Sequence, residues 1–366
     1  MRKILLVILG ITFLSNCSSL KENELSKHIS DWRVKNGIQG VSVSIYNKNK
    51  VTTIVSGSRS AKNDSLEKND SFMIGSVSKT FTAAAILQLV EKGTIKLDDS
   101  AREASGLHLP IEITVAHLLY HEAGLAEYMG GALSFETFLK QHAKGRNSWT
   151  SEEIRNYSVQ VQPNKNPIFA YSNSHFIVLG AIVEKQYGMP LKDALKNFVF
   201  EPANLHSAKL VKTKEDDPDA LGYSKGIKEA IGTSQIGARL TRELATAGEA
   251  AGGIAMNSSD LAKWATLYFS GKFVPNLTFK GPKGGKAFGL TSKQIKVGPG
   301  AYEVRYNKQI VRLHGGDGLG NTALAVYDPE TNKSIAILVN DDKIHSLGFG
   351  NPEYLDALAI ELLKMY

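Results

Sequence analysis

Cysteine is all but absent: of 366 residues only Cys17 is one, which excludes a disulfide framework and a metal cluster built on thiolates. Gly-x-Ser-x-Gly is missing too, and with it the nucleophile turn of an α/β-hydrolase. No Gly-x-Gly-x-x-Gly and no phosphate-binding loop occurs, despite the glycines from Gly315 to Gly320. His117 and His121 have the spacing of one helix face, but no glutamate stands where a zinc-protease pattern needs it, so no metal is expected. The 43 Lys and Arg outweigh 36 Asp and Glu to give +7, yet they are scattered and form no stripe interleaved with aromatics. Nucleic acid is therefore not an expected partner, and no cofactor motif is present.

What is present is an ordinary globular composition, 42% hydrophobic and 22% charged, on a chain long enough for a sizeable core. It opens with Met1-Arg2-Lys3 and an apolar run from Ile4 to Leu14. Such a run is too short for the roughly 20-residue helix that spans a bilayer, so it reads as a signal-peptide core. Leu14-Ser15-Asn16-Cys17 resembles a bacterial lipoprotein cleavage box, with Asn16 where Gly, Ala or Ser is usual. The resemblance implies cleavage before Cys17, lipid on its thiol, and a protein exported and anchored to a bacterial membrane. A plain secretory signal with an incidental cysteine is the alternative, and export follows either way.

Beyond this tether the spacing of Leu25, His28, Ile29 and Trp32 predicts a helix over Glu22–Lys35. Val41–Ile45 alternates as a strand and Val51–Ser56 is its hairpin partner across Asn47–Lys50. Helical patterns follow at Phe81–Glu91, Val115–Tyr120, Phe135–His142, Ile177–Gln186 and Leu191–Phe198. Strand patterns return at Tyr302–Tyr306, Gln309–Leu313, Thr322–Tyr327 and Ser334–Val339, and a helix closes the chain over Tyr354–Leu363. Lys280–Lys286 reads as a surface loop. Strands from both ends thus bracket a helical middle. The expected fold is α+β: an antiparallel sheet flanked by N- and C-terminal helices, with an inserted helical subdomain at about residues 79–205. The expected division is a signal peptide at 1–16, a lipidated cysteine and tether at 17–22, and one domain at 23–366.

The chemistry concentrates in three short elements. Ser76-Val-Ser-Lys79 opens a long apolar helix; serine and lysine three apart share a helix face, and the helix N-terminus offers free N–H donors. Two other Ser-x-x-Lys sequences, at Ser18 and Ser65, open no such helix. Tyr171-Ser172-Asn173 is the only Tyr-x-Asn, and His314-Gly315-Gly316 the only His-x-Gly. In this order the elements resemble the serine β-lactamase and penicillin-binding-protein superfamily, above all its esterase, D-aminopeptidase and class C β-lactamase-related branch. Ile113–Leu125, with Ala123 in place of a serine, Tyr171–Gly188, Phe200–Leu205, Ala251–Leu261, Tyr327-Asp-Pro and Leu338-Val-Asn340 extend the resemblance over nearly the whole chain.

The resemblance implies an acyl-enzyme on Ser76, with Lys79 as proton acceptor and Tyr171 as second acid/base. Asn173 would hold Lys79 and the substrate amide. The amides of Ser76 and Asp317, beyond Gly316, would form the oxyanion hole. The third element departs from the Lys-Thr-Gly of β-lactam hydrolases; Lys283-Gly-Gly is a second candidate, but no strand pattern precedes it. A histidine of ordinary pKa, about 6.5, at position 314 attracts a substrate carboxylate weakly at neutral pH, and Arg305 and Arg312 are the cations nearest in sequence. Short esters or D-amino-acid peptides are therefore expected to be cleaved in preference to β-lactams. A binding or sensor protein of the envelope that kept the fold without catalysis is the alternative. The expected partners are a small-molecule or peptide acyl substrate and, through Cys17, a membrane; the sequence does not indicate an oligomeric state.

Overall fold

The computed structural model describes residues 21–366 apart from 63, 111, 160–167, 276 and 350, so Cys17 and the apolar start lie outside the described residues. Twelve strands are described: β1 Gly40–Asn47, β2 Lys50–Gly57, β3 Phe72–Met73, β4 Lys209–Leu210, β5 Ile254–Met256, β6 Lys286–Ala287, β7 Leu290–Thr291, β8 Ile295–Gly298, β9 Ala301–Tyr306, β10 Gln309–Gly318, β11 Asn321–Asp328 and β12 Lys333–Val339. The helices are α1 (21–35), α2 Ser78–Glu91, α3 Ala101–Ser105, α4 Val115–Leu119, α5 Phe135–Ala143, α6 Ser151–Val159, α7 Asn173–Tyr187, α8 Leu191–Leu195, α9 Lys225–Ile231, α10 Ala238–Gly252, α11 Ser258–Phe269 and α12 Leu355–Met365.

Seven strands form one antiparallel sheet in the order β2-β1-β12-β11-β10-β9-β8. The first hairpin and the last two strands meet in register, Val41 opposite Val339 and Ile45 opposite Ile335. The two ends of the chain therefore share the sheet, as the sequence pattern requires. Ser42 and Ser44 are fully buried because their hydroxyls meet Ser258 of α11 at 2.7 Å. Alternation then turns Val41, Val43 and Ile45 to the other face. Both faces are covered, so the apolar-polar alternation of this strand marks two buried faces rather than one wet one.

The helical layer is built around α2, whose residues from Ser78 to Leu87 are all buried. A helix with no polar face has to be enclosed. It packs on α7 and α10, and α7 in turn carries α3, α4, α6 and α8. The helical layer thus runs past residue 205 to take in α10, which the pattern left unassigned. Leu191–Phe198 also differs: α8 stops at Leu195 and passes into a single π-helical turn, Lys196–Phe200. His117 and His121 do not share a helix face. His117 closes a capping box with Thr114 at the start of α4, and His121 lies past its end with φ 56°.

A candidate active site between sheet and helices

Ser76 lies in the 3₁₀ turn Gly75–Val77 that feeds α2, against β10 and β11. Two glycines allow this approach. A Cβ at Gly316 would sit 2.1 Å from the Ile74 carbonyl oxygen and 3.1 Å from the Ser76 nitrogen. Gly75 has φ 50°, and a Cβ on it would meet the Gly316–Asp317 backbone at 3.2–3.5 Å. The amides of Ser76 and Asp317 are thereby brought to one place. β10 continues through His314, Gly315 and Gly316 to Gly318, with Gly316 opposite Ala323 and Asp317 opposite Thr322. The His-Gly-Gly element is therefore part of the strand, not a loop after it.

The Lys79 side chain is wholly buried, and its Nζ has three partners: Ser76 Oγ at 2.8 Å, Asn173 Oδ1 at 2.6 Å and the Ala251 carbonyl at 2.8 Å. Burial lowers its pKa to about 7, against a smaller opposing pull from the Glu127 carboxylate. Desolvation is the dominant cause. Asn173 Oδ1 and the Ala251 carbonyl only accept hydrogen bonds. A neutral Lys79 amine gives its two N–H groups to them and turns its lone pair on the Ser76 hydroxyl.

Ala251 lies in the last turn of α10, where carbonyls lack helical partners. Thr82 Oγ1 donates to the Ala250 carbonyl at 2.8 Å as Lys79 does to Ala251. The backbone leaves helical geometry at Glu249, φ 38° and ψ −123°, and that buried carboxylate holds Lys212 at 3.0 Å.

Tyr171 precedes α7, which Ser172 caps by accepting from the Ser174 amide. Burial raises the pKa of its phenol well above the usual range, against a smaller opposing influence of the neighbouring Ser76 side chain. A phenol held protonated beside an amine held near neutrality makes an acid and a base of the two groups. Lys79 Nζ lies 5.0 Å from the centroid of the Tyr171 ring. His121 brackets Tyr171: its carbonyl accepts from the Ala170 amide at 2.9 Å and its Nδ1 from the Ser172 amide at 3.3 Å, with its ring 4.5 Å from the tyrosine ring. His175 Nε2 accepts from the Leu125 amide at 3.2 Å, so its Nδ1 carries the proton it shares with His121 Nδ1 at 3.1 Å. Asn173 gives its amide to Glu127 Oε2 at 2.8 Å.

His314 is buried between Tyr171 and Tyr302, with Nδ1 2.6 Å from the Gly315 carbonyl. Burial, and then the Lys79 charge, lowers its pKa to about 3. It is neutral throughout the working range, which replaces the ordinary pKa assumed from sequence. Arg312 is engaged by Glu303 at 3.1 Å and the Phe269 carbonyl at 2.7 Å, and Arg305 is exposed. Lys283 lies outside any strand, its carbonyl accepting from the Phe169 amide at 2.8 Å. The Asp317 carboxylate accepts from the Ser346 amide at 2.8 Å and hydroxyl at 2.6 Å. A cleft opens at Ser76 and Asn173, with Met73, Met129, Leu244 and Leu319 among its walls; among the described residues no Lys or Arg lines it.

The structure thus brings Ser76, Lys79, Tyr171, Asn173, His314, Gly316 and Asp317 to one site. Sequence reasoning missed the Ala251 carbonyl, Glu127 and the His121–His175 pair. Only Ala251 had a signal, its place before the double glycine.

A buried Ser-Lys pair on a helix start, faced by Tyr-x-Asn and a Gly-containing strand, defines a serine hydrolase of the β-lactamase fold. The Beta-lactamase family matches residues 24–359, and the chain belongs to it. A penicillin-binding protein of Bacillus subtilis is 32% identical over 164 residues, 43% of this chain and 35% of that protein. PbpX of the same organism is 26% identical over 297 residues, 77% of this chain and 68% of that one. The chain thus spans between a third and about two thirds of the length of these relatives. In fold it is similar to the D-amino acid amidase of Ochrobactrum anthropi complexed with D-phenylalanine: TM-score 0.74, 22% identity, 94% of this chain and 99% of that one.

Proposed function

We propose that this chain hydrolyses neutral or cationic esters or amides through an acyl-enzyme on Ser76, with short esters and D-amino-acid amides or peptides as the substrate class. The observation that carries the reading is the buried Lys79 amine, whose two other partners only accept, leaving its lone pair to Ser76 Oγ. Lys79 takes the Ser76 proton as Oγ bonds to the carbonyl carbon. The amides of Ser76 and Asp317 receive the oxyanion, and Gly316 lets the strand lie close enough to offer the second. Tyr171 gives its proton to the leaving atom as the bond to carbon breaks and recovers one through Lys79; water then repeats the sequence on the acyl-serine.

Substrate charge follows from the walls. With His314 neutral and no Lys or Arg among the described lining residues, nothing offsets a carboxylate such as that of a penicillin. The D-amino acid amidase that shares the fold supports the amide side of the class. The signal segment and Cys17 add the proposal that the enzyme is exported and lipid-anchored at a bacterial membrane. Fluorophosphonate labelling abolished in Ser76→Ala, with p-nitrophenyl esters or D-amino-acid amides turned over faster than nitrocefin, is the expected result. Folded wild-type protein that does not label is a binder instead, and nitrocefin as the best substrate overturns the substrate class.

A further inference from the structure

We infer that Phe288 and Phe349 form a leaving-group subsite that takes a neutral aromatic group. The inference rests on the acyl-serine reading above and adds the side of the site from which the leaving group departs.

Phe288 and Gly289 are the two residues between β6 and β7, where Ala287 pairs with Leu290. Their φ values are 49° and 79°. A two-residue turn with both central residues at positive φ favours Asn-Gly or Asp-Gly, and a bulky aromatic in the first place is disfavoured. Phe349, on a separate loop, also has positive φ, 53°. These two rings meet at 5.9 Å in a stacked arrangement. Phe288 further reaches Phe169 at 5.4 Å, Tyr302 at 5.2 Å and Tyr171 at 6.0 Å. It nonetheless remains 44% exposed, so burial in the core does not account for it. Local preference is broken twice to bring aromatic rings to one place, and that place is beside Tyr171.

The side follows from the chemistry. The cleft opens at Ser76 and Asn173, while Tyr171, Phe288 and Phe349 are not among its walls. The cleft is thus free for the acyl portion, and the proposal places the leaving group at Tyr171, where the aromatic rings gather. Tyr171 hands its proton to the departing oxygen or nitrogen, so whatever that atom carries extends over Phe288. None of these five side chains is charged at neutral pH, and a stacked pair of which Phe288 stays exposed and Phe349 is half-buried suits an aryl group.

The test compares ethyl with 2-phenylethyl esters of butyric acid, and ethylamide with 2-phenylethylamide of D-alanine, using the full chain. The alcohols, like the amines, differ little in acidity, so binding decides the ratio. The expected kcat/KM ratio favours phenylethyl by about tenfold or more, and it falls toward one in Phe288→Gly, a change that relieves the backbone. Protection of Ser76 from a fluorophosphonate by 2-phenylethanol against ethanol gives the same comparison without turnover. A native ratio near one overturns the subsite whether or not the variant folds, as does an unchanged ratio in a variant with native circular dichroism. Failure of Ser76 to react with the fluorophosphonate overturns the hydrolase reading and this one with it; a reactive Ser76 with a ratio near one overturns the subsite alone.

Discussion

At the scale of single residues the site turns on one amine. With the Lys79 pKa at about 7, kcat/KM for a neutral ester should rise with pH through that value and level off above it, as the amine loses the proton that blocks its lone pair. Lys79→Ala should lose at least about a hundredfold and the rise together. A rise retained in that variant would assign the titration to another group. Tyr171 is held by His121, which leads to a second expectation. Asparagine accepts positive φ and places Oδ1 where His121 Nδ1 receives the Ser172 amide, so His121→Asn should keep the tyrosine in place. His121→Leu removes that acceptor. It should lower hydrolysis of D-amino-acid amides, whose leaving group needs a proton, about tenfold more than hydrolysis of p-nitrophenyl esters, whose leaving group needs none. Equal losses on both substrates would make His121 merely structural.

At the scale of elements, α10 presents its last carbonyls to α2, and the break at Glu249 aims them. The carboxylate is 1% exposed and balanced by Lys212. Without Lys212 the buried carboxylate keeps only the Ser151 hydroxyl as a partner, so Lys212→Met should destabilise by about 2 kcal/mol in urea unfolding and slow acylation by displacing the Ala251 carbonyl. Unchanged stability would show that the Ser151 hydroxyl alone suffices for the buried carboxylate. These elements also mark where the sequence was legible. The β1–β2 hairpin and α2 follow from alternation and from continuous apolarity, because burial alone forms them. The helix α10 was not assigned: Gly248, Gly252 and two threonines weaken its propensity, and packing against α2 and α7 stabilises it instead. β10 outran its pattern because pairing with β11, not side-chain preference, carries it through two glycines. Ser76, Lys79, Tyr171 and Asn173 were legible as motifs, since their side chains do the chemistry. The Ala251 carbonyl was not, because a backbone oxygen has no letter of its own, and neither was a histidine pair 54 residues apart.

At the scale of the whole molecule, lipid on Cys17 would hold the domain at a surface without any spanning helix, and among the described residues no helix is long and apolar enough to cross a membrane. Labelled palmitate should enter the wild type and not Cys17→Ala; label kept by the variant refutes the anchor. The pH range in which the domain survives is set by the site itself. His121, His175 and His314 are each at most 2% exposed, and burial lowers all three pKa values, those of His175 and His314 to about 3. In the unfolded chain they titrate near 6.5, so below that pH the unfolded state binds protons that the folded state refuses. Stability is therefore full above about 6.5 and is lost as pH falls toward 3, by up to about 1.4 kcal/mol per pH unit for each imidazole. Lys79 acts in the same direction at higher pH: its folded value of about 7 lies below 10.5, so its burial penalty fades as pH rises between them. The enzyme should thus be acid-labile, with urea midpoints falling steeply from pH 6.5 to 4.5. His314→Gln removes one titrating group and should lose about 2 kcal/mol less over that interval. Parallel stability curves for the variant and the wild type would mean that His314 takes up its proton in the folded state, and the neutral-histidine account of substrate charge would go with it.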